Sequence, residues 1–362
     1  MEGVTPRQLA ARRLATLGVT TTGRPAPDRV VGSLVAVQGQ DYAMAKWAVG
    51  QRSAGGVDDV RLEALLDAGT LLRTHVLRPT WHVVRSDDIR WLLALTGPRV
   101  VNTLAGYCRR LGVGPEVLSR GVEIIGGAVR GGRHRTVEEL AAIVAGSGIT
   151  VDRLRLGHLL MQAELEAVIC SGARRGRHAT YALMDERVPA SPLRDRDDAA
   201  VELALRYFAG HGPATVDDFS WWSGLTLTDA RRAVGDAADG LQAVVVDDVT
   251  YWCGSARPAT PAPVALLPTF DEFVVGYRSS RWLLDTAGTA GMTGPDWPRE
   301  GHPVVVDSQV VGRWRRRLSA GRVTVEIAAD RPLTGSARDE LVEVAGRLGR
   351  FVGLTPSVVF RP

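Results

Sequence analysis

Three stretches of the chain repeat one order of elements: a capped short helix, a turn, a second helix, and then β-branched segments around a turn. The third repeat is the clearest, with helical segments at 197–212, 215–225 and 226–237 followed by two β-branched runs within 241–254. Helical periodicity that gives way to alternating β-branched residues predicts a helical unit closed by a hairpin. This order is typical of a winged helix.

The other two repeats carry local signals of their own. In the second, Thr136 and Glu139 form a capping box, and 173–186 is predicted to be a basic wing. In the first, Pro6 stands at a first-turn position, and the segment 75–84 is predicted to be a strand pair or wing.

Beyond residue 262 the pattern becomes β-rich, and we predict a small barrel or sheet followed by a last amphipathic helix over 337–354. A Pro-rich linker (255–263) and a long exposed loop (286–303) punctuate this region. The predicted fold class is α+β. The predicted domains are three winged-helix units at 1–125, 126–192 and 193–257 and a C-terminal domain at 262–362.

Composition excludes several classes of protein. The 362 residues are 45% hydrophobic and 23% charged, without an apolar run long enough to cross a membrane. The N-terminus lacks the apolar core of a signal peptide, so we expect a cytoplasmic protein. Cys108, Cys170 and Cys253 are far apart and have no partner at ligand spacing, which indicates reduced thiols, with neither a disulfide framework nor a zinc site.

The positive charge is almost entirely arginine, because Lys46 is the only lysine. The formal net charge is +4 and the pI is about 9.2. Arginine presents a planar fork of donors that suits phosphate, so the composition modestly favours a polyanionic partner.

Two glutamines, Gln38 and Gln40, flank Gly39 where an apolar helical pattern stops. If Gly39 ends the helix, the segment is extended and the two amides share one face. Each offers a carbonyl acceptor and an amide donor, so together they can hold one water molecule. On spacing alone the simpler interpretation is that one or both amides cap the helix end or face solvent.

Four segments of the sequence favour the interpretation in which the two amides hold one water molecule: 36–50, 71–100, 212–234 and 266–281. Together they resemble the winged-helix DNA glycosylase family typified by AlkZ, and the resemblance covers nearly the whole chain. It implies three tandem winged helices and a small β-domain around a concave channel for duplex DNA. It also implies removal of alkylated purines, including unhooking of interstrand crosslinks made by azinomycin-like antibiotics.

The resemblance assigns the catalytic motif, Gln followed by a hydrophobic residue and Gln, to Gln38, Gly39 and Gln40. Glycine departs from the hydrophobic residue at the centre and removes a packing side chain. The related AlkX/YcaQ branch has Asp at the third position, which this chain does not. Purines alkylated at N7 or N3 are cationic and leave without a general acid, so neutral amides that orient water are sufficient.

Several other side chains are candidates for a role beside the motif. Asp41 is a possible supporting residue, although an Asp in this place is more often a helix cap. His75 and His82 are possible supporting residues that line the DNA channel, or structural histidines. Asp271 and Glu272 are predicted to lie on a strand with Arg278, where internal ion pairing is the simpler interpretation. No histidines have metal-ligand spacing, so we expect neither a metal nor another cofactor.

Clusters of arginine are the candidates for contact with DNA phosphates, with a solvated basic face as the alternative. They are Arg73, Arg78, Arg174, Arg175, Arg177, Arg278, Arg313, Arg315 and Arg317.

The sequence thus predicts a monofunctional DNA glycosylase that acts as a nucleoid-associated monomer on double-stranded DNA carrying alkylated purines. The absence of a lysine near the motif other than Lys46 disfavours a lyase step through a Schiff base. The alternatives are a non-catalytic winged-helix transcription regulator and a module that sequesters an alkylating natural product.

Overall fold

The computed structural model describes residues 4–192, 194–255, 260–293 and 301–361. Part of the predicted linker (256–259) and part of the predicted long loop (294–300) lie outside these residues. The chain divides into two compact units, with unit 1 comprising Met1–Leu62, Val201–Trp222 and Leu227–Pro362, and unit 2 comprising Glu63–Ala200 and Ser223–Thr226.

The fold mixes helices and strands, which confirms the α+β class. The helices are α1 Pro6–Thr16, α2 Pro27–Leu34, α3 Tyr42–Arg52, α4 Asp59–Asp67, α5 Ser86–Arg110, α6 Pro115–Val129, α7 Val137–Gly146, α8 Arg153–Leu165, α9 Met184–Arg187, α10 Arg196–His211, α11 Val216–Ser223, α12 Leu227–Asp236, α13 Glu272–Val275 and α14 Gly335–Val352. The strands are β1 Ala36–Gln38, β2 Leu71–Val76, β3 Arg78–Arg85, β4 Arg135–Thr136, β5 Ile169–Ser171, β6 Thr180–Leu183, β7 Leu241–Val246, β8 Val249–Gly254, β9 Val264–Leu266, β10 His302–Val306, β11 Gln309–Ser319, β12 Arg322–Ala329 and β13 Thr355–Arg361.

Unit 1 contains the β-rich C-terminal region, in which five strands form one sheet in the order β13-β12-β11-β10-β9. Neighbouring strands are antiparallel except β12 and β13, which run parallel on either side of α14 in the sequence. Unit 1 also contains the β7-β8 hairpin predicted for the third repeat. At the start of α11, Asp218 accepts the backbone N–H of Thr215 while the Thr215 hydroxyl accepts that of Asp218.

Unit 2 combines helices with short antiparallel strand pairs. The predicted strand pair of the first repeat is the β2-β3 hairpin, and β4, β6 and β5 form a three-stranded sheet. The predicted capping box of α7 is confirmed, with Thr136 N–H donating to Glu139 and Glu139 N–H donating to Thr136. An apolar stripe of α8 is buried at Leu156, Leu159, Leu160 and Ala163.

Two predictions about local structure are wrong. The segment predicted as a strand at 271–278 instead begins with the short helix α13, because the Asp271 side chain accepts the N–H of Phe273 and caps it. Gly39 does not end the helix before the glutamines, since α2 already ends at Leu34.

Candidate active site

The glutamine motif begins on a short strand that follows an abrupt helix end. α2 stops at Leu34, and the next residue, Val35, has φ +64°, a left-handed conformation that is rare for a β-branched residue. Val35 is fully buried, and its N–H donates to the carbonyl of Gly32 at 3.3 Å. β1 then carries the chain in an extended conformation from Ala36 to Gln38. The chain therefore turns at Val35, four residues before Gly39, the residue that the sequence indicates as the end of the helix.

Helix α3 holds the other end of the motif. Asp41 is its N-cap and accepts the N–H of Met44 at 3.1 Å, which confirms the capping interpretation of this carboxylate. Farther along α3, the indole N–H of Trp47 donates to the carbonyl of Leu266 at 2.9 Å. The motif is thus framed by a buried turn on one side and by a capped, anchored helix on the other.

The two glutamines lie in different environments. Gln38 is buried, with 8% of its surface exposed, whereas Gln40 is exposed. The side-chain carbonyl oxygen of Gln38, Oε1, is buried and has no hydrogen-bond partner among the described residues. An unpaired buried acceptor costs about 1–3 kcal/mol, so such a group normally binds a water molecule or a ligand.

The backbone of Gln38 is fixed by a carboxylate 234 residues away in the sequence. Its N–H donates to Oε1 of Glu272 at 2.8 Å. The second oxygen of Glu272, Oε2, accepts the indole N–H of Trp222 at 2.9 Å and lies 3.2 Å from Nε2 of His211. Glu272 and Trp222 are buried, as is His211. Sequence reasoning did not connect Glu272 to the motif, because a partner so distant along the chain leaves no local signal.

Asp271, next to Glu272, forms an internal ion pair, as the simpler interpretation of this residue predicts. Its partner is Arg52, whereas the sequence places it beside Arg278. Both of its carboxylate oxygens accept from the guanidinium of Arg52 in α3, at 2.7 and 2.8 Å. Both side chains are almost completely buried. The pair ties the last turn of α3 to the start of α13.

His302, in β10, is a half-buried neutral histidine that sequence analysis did not select. Its Nδ1 accepts the N–H of Thr269 at 3.1 Å, and its ring contacts that of Trp314 at a tilt of 48°. Burial lowers the pKa of His302 to about 4, the negative charge of Asp41 opposes this shift, and the positive charge of Arg316 adds to it.

The two histidines predicted to support the site both lie on the β2-β3 hairpin of unit 2. His75 is 4% exposed, its Nδ1 lies 2.5 Å from Oε2 of Glu164, and its ring contacts Trp81. His82 is fully buried, and its Nδ1 bonds to the carbonyl of Thr80 at 3.0 Å. Their supporting role stays a prediction.

The predicted basic wing of unit 2 contains arginines in different states. Arg174 lies 3.5 Å from Glu63 and donates to the carbonyl of Arg177, and Arg175 pairs with Glu139. Arg177 is exposed, and within the described ranges its side chain forms no hydrogen bond or ion pair. Arg177 is therefore the guanidinium of this wing that is most available to an outside anion.

The other predicted phosphate ligands are dispersed. In unit 2, the guanidinium of Arg73 covers the ring of Trp81, and Arg78 begins β3. In unit 1, Arg278 lies over the ring of Trp221, and Arg313 donates to the carbonyls of Gly312 and Ala290.

Arg315 and Arg317 are exposed on the same strand as Arg313, as the alternation along β11 predicts. Arg317 is paired with Glu326 at 3.0 Å. Their contact with DNA stays a prediction.

Within the described ranges, no group of three or more His, Cys, Asp or Glu side chains is placed to hold a metal ion, and the three cysteines are free thiols. No described helix is both long and apolar enough to cross a membrane.

Comparison with known proteins agrees with the sequence resemblance. Residues 31–351 match the family described as DNA glycosylase AlkZ-like. The chain is 26% identical over 328 residues to an interstrand DNA cross-link repair glycosylase of Streptomyces sahachiroi, covering 85% of this chain and 87% of that protein. The solved structure of Streptomyces sahachiroi DNA glycosylase AlkZ has the same fold, with a TM-score of 0.79 at 23% identity over 99% of this chain and 100% of that one. Because the family match spans most of its length, this chain belongs to the AlkZ-like family of DNA glycosylases.

Proposed function

We propose that this DNA glycosylase hydrolyses the N-glycosidic bond of purines made cationic by alkylation at N7 or N3, with Gln38 and Gln40 as the catalytic pair. The observation that carries the proposal is the side-chain oxygen of Gln38, which is buried and has no hydrogen-bond partner among the described residues. Gln38 is also the first residue of the motif that the family resemblance identifies as catalytic. A buried acceptor of this kind is suited to accept a hydrogen bond from a water molecule.

The proposed reaction needs orientation of water more than proton transfer to the base. As the bond between C1′ and the purine nitrogen breaks, its electron pair goes to the cationic base, which leaves uncharged. The sugar becomes oxocarbenium-like, and water adds to C1′ and loses a proton to solvent. Amides that hold this water against C1′ lower the barrier by orientation. An uncharged purine is a poorer leaving group and would need an acid that the motif lacks.

A lyase step is not part of the proposal. A Schiff base needs an uncharged, accessible amine, and Lys46 is the only lysine of the chain. Its Nζ is 2.8 Å from Asp59, and its side chain is 7% exposed. Because the amine is engaged in this ion pair and almost completely buried, we propose a monofunctional enzyme.

The lesion is proposed to include bulky and interstrand-crosslinked adducts of the azinomycin type. The support is the likeness to the Streptomyces sahachiroi cross-link repair glycosylase, with 26% identity over most of both chains. The order of helices and hairpins supports three winged-helix units, at 1–125, 126–192 and 193–257, before a C-terminal domain at 262–362. A concave channel for duplex DNA and action as a monomer belong to the same proposal.

The test is release of free base from duplex DNA containing N7-methylguanine, by the wild type, Gln38→Ala and Gln40→Ala. We expect Gln38→Ala to lower the single-turnover rate by about 10²–10³-fold, as for loss of one fixed polar group at a reaction centre. Gln40→Ala should lower it less, because Gln40 is exposed. The matched control is Gln51→Ala, which removes another buried glutamine from the same unit, outside the motif.

A second substrate separates the class of lesion from the catalytic assignment. We expect release of N7-methylguanine and of the base from an azinomycin-crosslinked duplex, but not of an uncharged base such as hypoxanthine. Full activity of the Gln38→Ala/Gln40→Ala double variant would remove the catalytic assignment. Equal release of charged and uncharged bases would remove the proposed substrate class.

A further inference from the structure

A buried carboxylate connects the candidate catalytic strand to the interior of unit 1. Glu272 is 1% exposed, and the contacts of its side chain include groups from three separate segments. These are the N–H of Gln38, the indole N–H of Trp222 and the imidazole of His211. We refer to Glu272, Trp222 and His211 as the Glu272 cluster.

The cluster holds the carboxylate in one orientation. The ring of His211 stacks on Tyr207 with 4.8 Å between centroids and 14° between planes, and the Tyr277 hydroxyl donates to the His211 carbonyl at 2.6 Å. Trp222 also packs on Tyr207. Because the indole and the imidazole are both fixed in this way, Oε2 of Glu272 is fixed, and Oε1 is thereby directed at Gln38.

We propose that Glu272 is a positioning residue that acts on base release through Gln38. This inference rests on the proposed function of Gln38. The side-chain oxygen of Gln38 has no hydrogen-bond partner of its own among the described residues, so the backbone largely determines where it points. The backbone N–H of the same residue is bonded to Glu272 at 2.8 Å. A shift of about 1 Å in a group that orients a reactant costs roughly 10²-fold in rate.

The chemistry of the contact explains why a carboxylate occupies this place. An ionised carboxylate only accepts hydrogen bonds, so both of its oxygens suit the N–H groups that face them. An amide of the same shape has one oxygen and one NH₂ group. In Glu272→Gln, the NH₂ group must face either the N–H of Gln38 or that of Trp222, and one donor then opposes another. The substitution therefore disturbs the Gln38 contact while nearly preserving the volume of the side chain.

The test is a double-mutant cycle on the single-turnover release of N7-methylguanine, with duplex affinity measured in parallel. The four proteins are the wild type, Glu272→Gln, Gln38→Ala and the double variant. We expect Glu272→Gln to lower the rate by about 10–10²-fold with little change in the dissociation constant for DNA. In the Gln38→Ala background the same substitution should change the rate by less than about threefold, because the group that it positions is already absent.

Asp285→Asn is the matched control for loss of a buried carboxylate. Asp285 lies in unit 1 and is 8% exposed, and it accepts the backbone N–H groups of Thr289, Ala290 and Met292. The Asp285→Asn variant is expected to lose stability but to keep its rate of base release. Should Glu272→Gln fail to fold, Trp222→Phe removes one donor to the same carboxylate, and its smaller loss of rate should also vanish in the Gln38→Ala background.

The outcomes separate the two proposals. If the losses from Glu272→Gln and Gln38→Ala multiply, Glu272 acts independently of Gln38 and the inference is overturned, as it is if Glu272→Gln keeps the wild-type rate. In both cases the catalytic assignment of Gln38 stands. If Gln38→Ala alone keeps the full rate, the proposed function fails.

Discussion

His302 shows how one half-buried residue makes the stability of this protein depend on pH. Burial lowers the pKa of His302 from 6.5 to about 4. Between these two pH values the unfolded chain binds a proton that the folded chain does not. The contribution of His302 to stability is therefore fully present above pH 6.5 and is lost as the pH falls toward 4.

We predict that wild type loses about 2–3 kcal/mol of unfolding free energy through His302 between pH 7 and pH 4. His302→Asn keeps an acceptor for the Thr269 N–H but does not titrate, so its unfolding free energy should fall less over this range. Urea denaturation at several pH values measures the difference. His134 and His158, whose pKa values are also lowered by burial, are present in both proteins and do not affect the comparison. Parallel pH profiles of the two proteins would contradict the prediction.

Residue-level predictions succeeded where the partner is local. Asp41 caps α3 through Met44, and Thr136 and Glu139 cap α7, each within three residues. Such bonds depend on the backbone geometry of a single turn, so the sequence pattern specifies them. The partners of Asp271 and Glu272 could not be predicted in this way, because Arg52 and Gln38 lie 219 and 234 residues away.

At the scale of elements, the end of α10 packs directly on the end of α2, just before the motif. A Cβ added to Gly210, the next-to-last residue of α10, would lie 2.3 Å from the carbonyl oxygen of Ser33. Because that neighbour is backbone, a side chain at 210 forces the two helices apart. Glycine at this position thus sets how closely α10 approaches the segment that leads into β1.

We predict that Gly210→Ala destabilises the protein by about 1–3 kcal/mol through overpacking and lowers base release by displacing the end of α2. Gly235→Ala is the matched control, since Gly235 is the next-to-last residue of α12, is exposed, and has no described atom within 4 Å of an added Cβ. It should be neutral or stabilising by up to about 1 kcal/mol. Thermal unfolding and N7-methylguanine release measure both effects. Equal behaviour of the two variants would show that the contact at Gly210 is not restrictive.

The elements that could not be predicted are those that depend on distant neighbours. The sequence 271–278 has β-branched and aromatic residues, yet it begins with helix α13, because Asp271 both caps this helix and pairs with Arg52.

Strand β13 was not predicted either. It joins the sheet parallel to β12 only after α14 has carried the chain back across. A parallel partner requires such a crossover and has no turn signal of its own.

At the scale of the whole molecule, charge determines how the protein meets DNA. The excess of positive charge is only +4, so attraction to phosphate depends on which guanidinium groups remain unengaged. In the predicted wing of unit 2, Arg174 and Arg175 are engaged with Glu63 and Glu139, whereas Arg177 is exposed and makes no ion pair within the described ranges.

We predict that the affinity for duplex DNA falls as salt rises, with a log–log slope of about −0.9 for each phosphate contact. Arg177→Gln should reduce the magnitude of this slope by about one. Arg174→Gln should reduce it less, because the guanidinium of Arg174 is already paired with Glu63. Fluorescence anisotropy of a labelled duplex between 50 and 200 mM salt, about the range over which such effects are large, measures the slopes. A DNA affinity that does not change with salt would contradict the predicted phosphate contacts. Equal slopes for Arg177→Gln and Arg174→Gln would contradict the larger effect expected for Arg177.

The sequence by itself determined the helices and hairpins of the repeats, their caps, and the family to which the glutamine motif belongs. These features depend on residues within a few positions of one another, or on the order of segments along the chain. The tertiary structure alone decided that the chain turns at Val35, that Gln38 is buried with a free oxygen among the described residues, and that Glu272 holds its backbone. Burial and long-range hydrogen bonds arise only when distant segments pack together, and they can impose a left-handed conformation on a valine that local propensity disfavours.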